Sequence, residues 1–190
     1  MKLHDLKGLI TTARSKPGGL TYGSSGLGSS NHLATEALRA SLDIPVTHVP
    51  YRGSGPALTD TMAGHVDFML DVAMTSLPYI KRGDLNAVAV TSRQRLDVLP
   101  DVPTVAEQGF PDFEALGWFG LFAPAQTPED VAGKIAGLVR QVVTEKDMTA
   151  YFEAQGATAS GVTLKDFDDV VAADRAHWGK VAELAKIKPE

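Results

Sequence analysis

Residues 20–38, with the sequence LTYGSSGLGSSNHLATEAL, predict a short strand, a loop of glycines and serines, and an amphipathic helix. The glycines at positions 23, 26 and 28 allow the backbone to take positive φ angles and to approach a bound molecule closely. Ser29 or Ser30 would cap the helix, whose first N–H groups and dipole favour a carboxylate or phosphate. An ordinary strand-to-helix turn explains the same residues, so this motif alone leaves both interpretations open.

A strand, a Gly/Ser loop and a helix follow one another a second time. Residues 44–50 predict a strand bounded by prolines, and the loop YRGSGP at 51–56 leads into a helix that Ser54 would cap. Residues 66–70 and 85–90 each predict a buried strand, with a helix between them. This alternation predicts the α/β class, with a parallel sheet and helices packed on it.

Three polar segments come directly after predicted strands. They are the loops at 24–30 and 51–56, and Asp71 at the end of the strand at 66–70. Because the carboxyl ends of parallel strands meet at one edge of a sheet, where ligands bind in such folds, we expect these segments to lie together. Their convergence supports a binding site more strongly than any single segment does.

The chain divides near residues 115–117. We expect residues 1–117 to form an α/β lobe that carries the Gly/Ser loops, and residues 118–190 to form a second, helix-rich part. Periodicity and capping residues predict these helices and strand-like segments there: 118–123, 127–144, 148–155, 158–162 and a last helix from 163. With so many apolar helix faces and so few strands, either this part packs on the first one or its own partner strands are missing.

Composition argues against several classes of function. The net charge is −5 and no basic cluster is longer than Lys81-Arg82, so we expect no nucleic acid partner. The absence of cysteine excludes disulfides and thiolate catalysis, and the five histidines have no metal-ligand spacing, so we expect no metal and no cofactor. No apolar run approaches the roughly 20 residues of a membrane span. The loop at 24–30 matches neither a nucleotide-binding pattern nor a hydrolase nucleophile pattern.

Each candidate side chain in the first loop has a structural alternative. Ser24, Ser25, Ser29 and Ser30 could hold an anion with their hydroxyl and backbone donors, or serve only in capping and turn formation. His32, just inside the helix, could donate a hydrogen bond to a ligand, or be structural or merely exposed.

Other candidates lie around the same sheet edge. Asp71 could accept a hydrogen bond from a ligand hydroxyl, amine or water, or cap the helix that follows it. Tyr51 and Trp118 could form walls of a cleft or belong to the core. Arg52 is the cation beside these loops and could pair with an anion or be solvated, whereas His48 is expected to pack within its strand.

Four linked segments resemble a known family: YGSSGLGSSNHL at 22–33, PYRGSGPALTD at 50–60, DVPTVAEQGF at 101–110 and WFGLFAPAQTP at 118–128. Over essentially its whole length the chain is similar to the solute-binding proteins of tripartite tricarboxylate transporters. These are the TctC or Bug (Bordetella uptake gene) proteins. The linked set, in order and with family-like spacing, is far more specific than any single motif.

The resemblance implies a periplasmic-binding-protein type II-like fold, in which two α/β lobes enclose a cleft, and no enzymatic activity. Members of the family capture small carboxylates and pass them to membrane permease subunits. They hold the carboxylate with backbone amides, hydroxyls and ordered water rather than with an arginine. By position, the resemblance implies these ligand-binding residues: Ser24, Ser25, Gly28, Ser29, Ser30, His32, Tyr51, Gly53, Ser54 and Asp71.

One departure from the family pattern bears on the site. Members begin with a signal peptide and an N-terminal part of the first lobe, and this sequence begins at a helix of the second lobe. The resemblance therefore implies that residues 1–117 are the second lobe and that 118–190 are an incomplete first lobe. We therefore expect a truncated receptor that binds its ligand weakly when alone. The resemblance implies a periplasmic location, and the protein would be cytoplasmic if the truncation is biological.

Two other functions stay open on the residues alone. A small α/β enzyme acting on a phosphorylated or carboxylated metabolite would use the loop as an anion hole and Asp71 or His32 as an acid–base group, although no nucleophile–base pair is evident. A remnant without ligand binding would self-associate, each chain covering the exposed lobe surface of the other.

Overall fold

The computed structural model of the chain describes residues 3–187. Its helices and strands follow in the order α1 Leu6–Ser15, β1 Leu20–Ser24, α2 Ser30–Leu42, β2 Val46–Pro50, α3 Ser54–Ala63, β3 Phe68–Met69, α4 Ala73–Arg82, α5 Glu129–Val143, α6 Lys146–Ala154 and α7 Leu164–Leu184. The strands pair in parallel in the order β2-β1-β3. The α/β class with a parallel sheet, predicted from the alternation of elements, is confirmed.

β1 is the central strand of this sheet and its most buried one. Leu20 and Tyr22 of β1 have no exposed surface. The strand pairs with all five residues of β2 on one side and with both residues of β3 on the other. Because β1 and β2 are parallel and in register, the first loop (residues 25–29) and the second loop (residues 51–53) leave the sheet at the same edge.

Residues 85–90 do not form the fourth strand that their apolar character predicts. Within residues 3–187 their one ladder contact is a bridge between Val90 and Thr104. Val90 donates to the carbonyl of Pro103 and accepts from the N–H of Val105, so this segment pairs with the chain that follows it rather than with β3. Residues 85–90 and β3 both line a cavity of about 2180 Å³. Only Val90 of this segment is buried, so the apolar run predicted neither the burial of the segment nor its neighbour correctly.

Helices α1 and α2 pack their apolar faces on the sheet and form the core. Leu6 and Leu9 of α1 and Leu38 and Leu42 of α2 lie with Leu20 of β1, each at most 6% exposed. Burial of each such side chain contributes roughly 1.5–3 kcal/mol of hydrophobic stabilisation. This core fixes the start of α2, and therefore the first loop, on the sheet.

Residues 116–187 contain no buried residue, and burial ends at Ala115. They form the helices α5, α6 and α7, and no strand is present at the segments 118–123 and 158–162, where strand-like structure was predicted. The division predicted near 115–117 lies where the buried core ends, and it stays a prediction.

Helix α7 connects the C-terminal part to the core. It runs beside α2, and its Trp178 packs against the leucine core. The rings of Trp118, Phe122 and Phe167 form an aromatic cluster with centroids 5.2 to 6.3 Å apart, and the Trp118 indole donates to Asp174. These contacts attach the C-terminal helices without burying them. None of the helices formed by residues 3–187 is both long and apolar enough to cross a membrane.

Gly19→Ala is expected to destabilise the fold more than Gly18→Ala. Both glycines have positive φ angles, 77° and 82°, so each alanine costs about 1–2 kcal/mol in backbone strain. A Cβ at Gly19 would also lie 2.2 Å from the carbonyl oxygen of Pro45, whereas a Cβ at Gly18 meets no atom within 4 Å. In urea unfolding, the free energy of unfolding of Gly19→Ala should be lower than that of Gly18→Ala by about 1–3 kcal/mol. Equal losses would contradict the close approach to Pro45.

The exposed apolar segment 118–123 predicts self-association at high concentration. Phe119, Leu121 and Phe122 are 81%, 67% and 65% exposed, and large exposed apolar patches are typical of interaction surfaces. Size exclusion with light scattering should give a mass above 20.2 kDa that rises with concentration. Phe119→Ser should lower that mass, whereas the control Leu184→Ser, also at an 81% exposed position, should not. A monomer at every concentration would contradict this prediction.

Candidate functional site

Asn31 organises the first loop. Its Oδ1 atom accepts hydrogen bonds from the Ser25 N–H at 3.1 Å, the Ser25 hydroxyl at 3.0 Å and the Ser29 hydroxyl at 2.7 Å. The Ser29 hydroxyl also lies 2.6 Å from the carbonyl oxygen of Gly26. Because a backbone N–H can only donate, the contact with Ser25 fixes which end of the Asn31 amide faces the loop. Asn31 is 7% exposed, whereas Ser25 and Ser29 are half-buried.

Two further side chains support the loop from inside the protein. Ser24 is fully buried, and its Oγ lies 2.6 Å from His48 Nε2 and 3.1 Å from both the N–H and the carbonyl oxygen of Gly26. His32 is 3% exposed, and its Nδ1 accepts the N–H of Gly28 at 3.0 Å. Both side chains therefore contact the loop itself.

The second loop lies directly against the first. The Tyr51 N–H donates to the Ser24 carbonyl at 3.0 Å, and the Gly53 N–H donates to the Ser25 carbonyl at 3.1 Å. The Tyr51 hydroxyl donates to Asp60 of α3 at 2.7 Å. The backbone of the second loop thus continues the pairing of β1 and β2 beyond the strands.

Ser54 connects the second loop to the end of β3. Its hydroxyl donates to Asp71 at 3.1 Å, and the hydroxyl of Thr75 donates to the other carboxylate oxygen of Asp71. The prediction that Ser54 caps α3 is wrong, because Gly53 occupies the N-cap with a φ of 108° and Ser54 is already helical. The three sheet-edge segments predicted to converge are thus joined by hydrogen bonds.

The free hydrogen-bond donors of the site lie at the start of α2. Ser29 is the N-cap, as one of the two predicted alternatives, and its hydroxyl accepts from the His32 N–H at 3.4 Å. The N–H groups of Ser30 and Asn31 donate to no other residue within 3–187. At the positive end of a 13-residue helix, these groups are suited to an anion.

Ser30 and Asn31 line the cavity of about 2180 Å³, together with Asp71 and Trp118. The other predicted site residues do not line it: Ser24, Ser25, Gly28, Ser29, His32, Tyr51, Gly53 and Ser54. Of these, Ser24, Ser25, Gly28, Ser29 and His32 form the hydrogen bonds that shape the first loop. A ligand role for all ten residues stays a prediction.

The first loop presents neutral donors to an incoming anion. Residues 24–31 include no charged side chain. Burial lowers the pKa of His32, and burial together with the charge of His32 lowers the pKa of His48 to about 4, although Glu36 opposes both shifts. Both imidazoles are therefore neutral at pH 7. Within residues 3–187, no group of three or more His, Asp or Glu side chains is arranged to hold a metal ion.

Sequence reasoning missed Asn31, although a signal for it was present. Asparagine near a helix start favours side-chain bonds to neighbouring backbone over helical packing, and Asn31 directly follows four serines and three glycines within nine residues. His48 does pack, as expected, but against His32 and the hydroxyl of Ser24, a contact between β2 and α2 that no local pattern reveals.

The sequence profile of the tripartite tricarboxylate transporter family receptor, TctC, matches residues 2–186. A UPF0065 protein from the tcbD-tcbE intergenic region of Pseudomonas sp. strain P51 is 36% identical over 95% of this chain and 54% of its own length. BugT of Bordetella pertussis is 33% identical over 99% of this chain and 58% of its own length. The chain thus spans about half the length of the curated relatives it matches.

Two solved structures share the fold at clear sequence identity. R. palustris Rpa4515 with adipate matches with a TM-score of 0.93 and 34% identity, over 99% of this chain and 63% of its own. MatC (Rpa3494) from Rhodopseudomonas palustris with bound malate matches with a TM-score of 0.84 and 30% identity, over 93% of this chain and 61% of its own. The binding-protein-like lobe expected from the four sequence segments is confirmed by these matches. The chain belongs to the tripartite tricarboxylate transporter receptor family, TctC.

Proposed function

We propose that this chain forms one side of the ligand cleft of an extracytoplasmic solute-binding protein. The ligand is a small carboxylate, which the protein passes to the permease subunits of a tripartite tricarboxylate transporter. The observation that carries the proposal is the pair of N–H groups of Ser30 and Asn31, which have no hydrogen-bond partner within residues 3–187 and belong to two residues that line a large cavity. Adipate and malate occupy the two related structures, which supports the same ligand class.

The physical chemistry of the site favours a carboxylate over a neutral solute. The helix start carries a partial positive charge of roughly half an elementary charge, and a hydrogen bond to a charged group contributes roughly 1.5–3 kcal/mol. The hydroxyl of Ser30, which is exposed, adds a third donor to the N–H groups of Ser30 and Asn31. Asp71 lines the same cavity and would repel a second carboxylate close to it, so it favours a ligand hydroxyl, amine or water there.

The chain taken alone is proposed to bind weakly. The site described here comes from the sheet edge of residues 20–71, and the chain spans 63% of the adipate-bound relative and 61% of the malate-bound one. Contacts from the remaining length of such relatives would add to those of the helix start. Periplasmic location and permease contact are proposed on the same family membership.

An enzymatic function has less support. The Ser24–His48 contact, at 2.6 Å, resembles a nucleophile–base pair. However, Ser24 has no exposed surface, and its oxygen also contacts both backbone groups of Gly26. A substrate therefore has no access to the Ser24 hydroxyl, and we propose that the pair is structural.

The helix start can be tested with Ser30→Pro and Ser30→Ala. Proline fits the first position of a helix, and Ser29, with a ψ of 159°, has the extended backbone that a following proline requires. Ser30→Pro therefore removes the N–H and the hydroxyl, whereas Ser30→Ala removes the hydroxyl alone. We expect Ser30→Pro to weaken adipate binding at least roughly tenfold relative to Ser30→Ala.

Binding should be followed by amide chemical shifts, with adipate and malate titrated into the millimolar range because affinity is expected to be low. Circular dichroism should show the same helix content in both variants and the parent chain. Equal affinity of the two variants would contradict an anion site at the start of α2. Tight binding by the parent chain would contradict the proposal that this chain supplies only one side of the ligand cleft.

Asn31→Asp should separate the structural role of Asn31 from its place beside the ligand. An aspartate keeps the Oδ1 acceptor for Ser25 and Ser29 and gains from the helix dipole, so we expect little loss of stability. Its negative charge next to the bound carboxylate should lower adipate affinity at least roughly tenfold, the effect of about 1.4 kcal/mol of repulsion. Thermal unfolding and the adipate titration measure the two effects. Unchanged affinity in a folded variant would place the anion elsewhere.

A further inference from the structure

His32 and His48 form a stacked pair beneath the first loop. Their ring centroids are 3.8 Å apart and their planes differ by 10°. The Tyr22 ring also packs on the pair, with its centroid 4.9 Å from that of His48 and 6.2 Å from that of His32. Each histidine contacts a different part of the loop, because His48 contacts Ser24 and His32 contacts Gly28. The pair therefore connects β2 and α2 to both ends of the loop.

The contact with Gly28 determines the proton position on His32. A backbone N–H can only donate, so Nδ1 of His32 must be the unprotonated nitrogen and Nε2 must carry the hydrogen. Protonation of Nδ1 would place two donors 3.0 Å apart and break the bond. The His48 contact with Ser24 can be satisfied with either tautomer, since a hydroxyl both donates and accepts.

The stacked geometry also opposes a charge on the pair. Two imidazolium rings with centroids 3.8 Å apart repel each other, and the burial of His32, which is 3% exposed, strengthens that repulsion. The groups that act on the pair are Tyr22 from β1 and Glu36 from α2, and Arg39 of α2 lies behind Glu36. The Tyr22 hydroxyl donates to Glu36, and Glu36 pairs with Arg39, both at 2.7 Å, so the charge of Glu36 is partly neutralised.

We propose that His32 is a positioning residue of the first loop, whose neutral imidazole holds the Gly28 N–H so that the loop keeps its binding shape only while the histidine pair is uncharged. As a consequence, acid detaches Gly28 and loosens the loop that precedes the free donors of Ser30 and Asn31. The part of this inference that concerns a ligand rests on the proposed carboxylate function; the part that concerns Gly28 does not.

The direction of the pH effect follows from the lowered pKa values of both histidines. The unfolded chain takes up protons on these residues below about 6.5, the ordinary histidine value, whereas the folded chain does not until lower pH. Their contribution to stability is therefore fully present above pH 6.5 and declines as the pH falls towards about 4, the pKa of His48. Once His32 takes up a proton on Nδ1, that atom can no longer accept and the contact with Gly28 is lost.

The test uses the full chain without ligand. Two-bond ¹H–¹⁵N spectra report the tautomer of each imidazole, and amide exchange reports the protection of Gly28, corrected for the intrinsic rate at each pH. We expect Nδ1 of His32 to be unprotonated at pH 7, and the protection of Gly28 to fall at least tenfold between pH 7 and pH 4. A protonated Nδ1 at pH 7, or constant protection through the titration of the pair, would overturn the proposal.

His32→Asn is the informative variant, because an asparagine Oδ1 can occupy the place of the imidazole Nδ1 and does not titrate. Gly28 should stay protected at pH 4 in this variant. His65→Asn is the control, since His65 has a side chain that is 70% exposed and should leave the pH dependence of Gly28 unchanged. If His32→Asn fails to fold, the tautomer and the exchange of the parent chain decide the question alone.

Adipate titrations of the parent chain and His32→Asn at pH 7 and pH 4.5 test the ligand part. Adipate takes up protons in this range equally for both proteins, so the comparison cancels that effect. We expect affinity to fall at least fivefold more in the parent chain than in His32→Asn. An equal fall would overturn the link between the loop and the ligand. If neither protein binds adipate at pH 7, that result counts against the proposed function and overturns the link between the loop and the ligand. The Gly28 measurements would still decide whether His32 positions the loop.

Discussion

The shape of the first loop depends on one carboxamide oxygen, the Oδ1 atom of Asn31, which accepts from the Ser25 N–H and from the hydroxyls of Ser25 and Ser29. Removing this acceptor would leave the N–H and the hydroxyl of Ser25 without this partner, whereas the Ser29 hydroxyl could still donate to the Gly26 carbonyl. A buried donor without a partner costs about 1–3 kcal/mol, and less where water reaches it, as at the half-buried Ser25. Asn31 is also the second residue of α2, so the atom that shapes the loop and an N–H free to bind an anion belong to the same residue. Loop shape and ligand geometry are therefore set together.

Sequence reasoning recovered the parts of the fold that depend on local patterns. The strand β1, the amphipathic helix α2 and its cap, narrowed to Ser29 or Ser30, are all visible within residues 20–42. It failed where a distant partner decides the outcome. Residues 85–90 have the composition of a buried strand, but their backbone pairs with the chain around Pro103. The hydroxyl of Ser54 bonds to Asp71 from another strand instead of capping its own helix.

The candidate site shows the same limit. The Gly/Ser composition allowed either an anion loop or an ordinary turn. The parallel alternation predicted that the second loop and Asp71 would join the first loop, as their hydrogen bonds now show. Which partner each serine contacts could not be read from the sequence, because Ser24 bonds to His48 and both Ser25 and Ser29 bond to Asn31, and these contacts depend on the fold. The exposed apolar side chains of residues 116–187 were anticipated from the shortage of strands, whereas their attachment through α7 and Trp178 was not.

The lack of charged side chains in the first loop has a consequence for how the site responds to salt. At about 0.15 M ionic strength, charges more than roughly 8 Å apart are largely screened from each other, whereas hydrogen bonds from fixed N–H groups at about 3 Å are hardly affected. The net charge of −5 repels an approaching dicarboxylate at long range, and dissolved salt weakens that repulsion. For the proposed carboxylate ligand, capture should therefore become faster in saline surroundings, while the direct hydrogen bonds of the bound state keep most of their strength. A site of this kind suits a receptor whose surroundings vary in ionic strength.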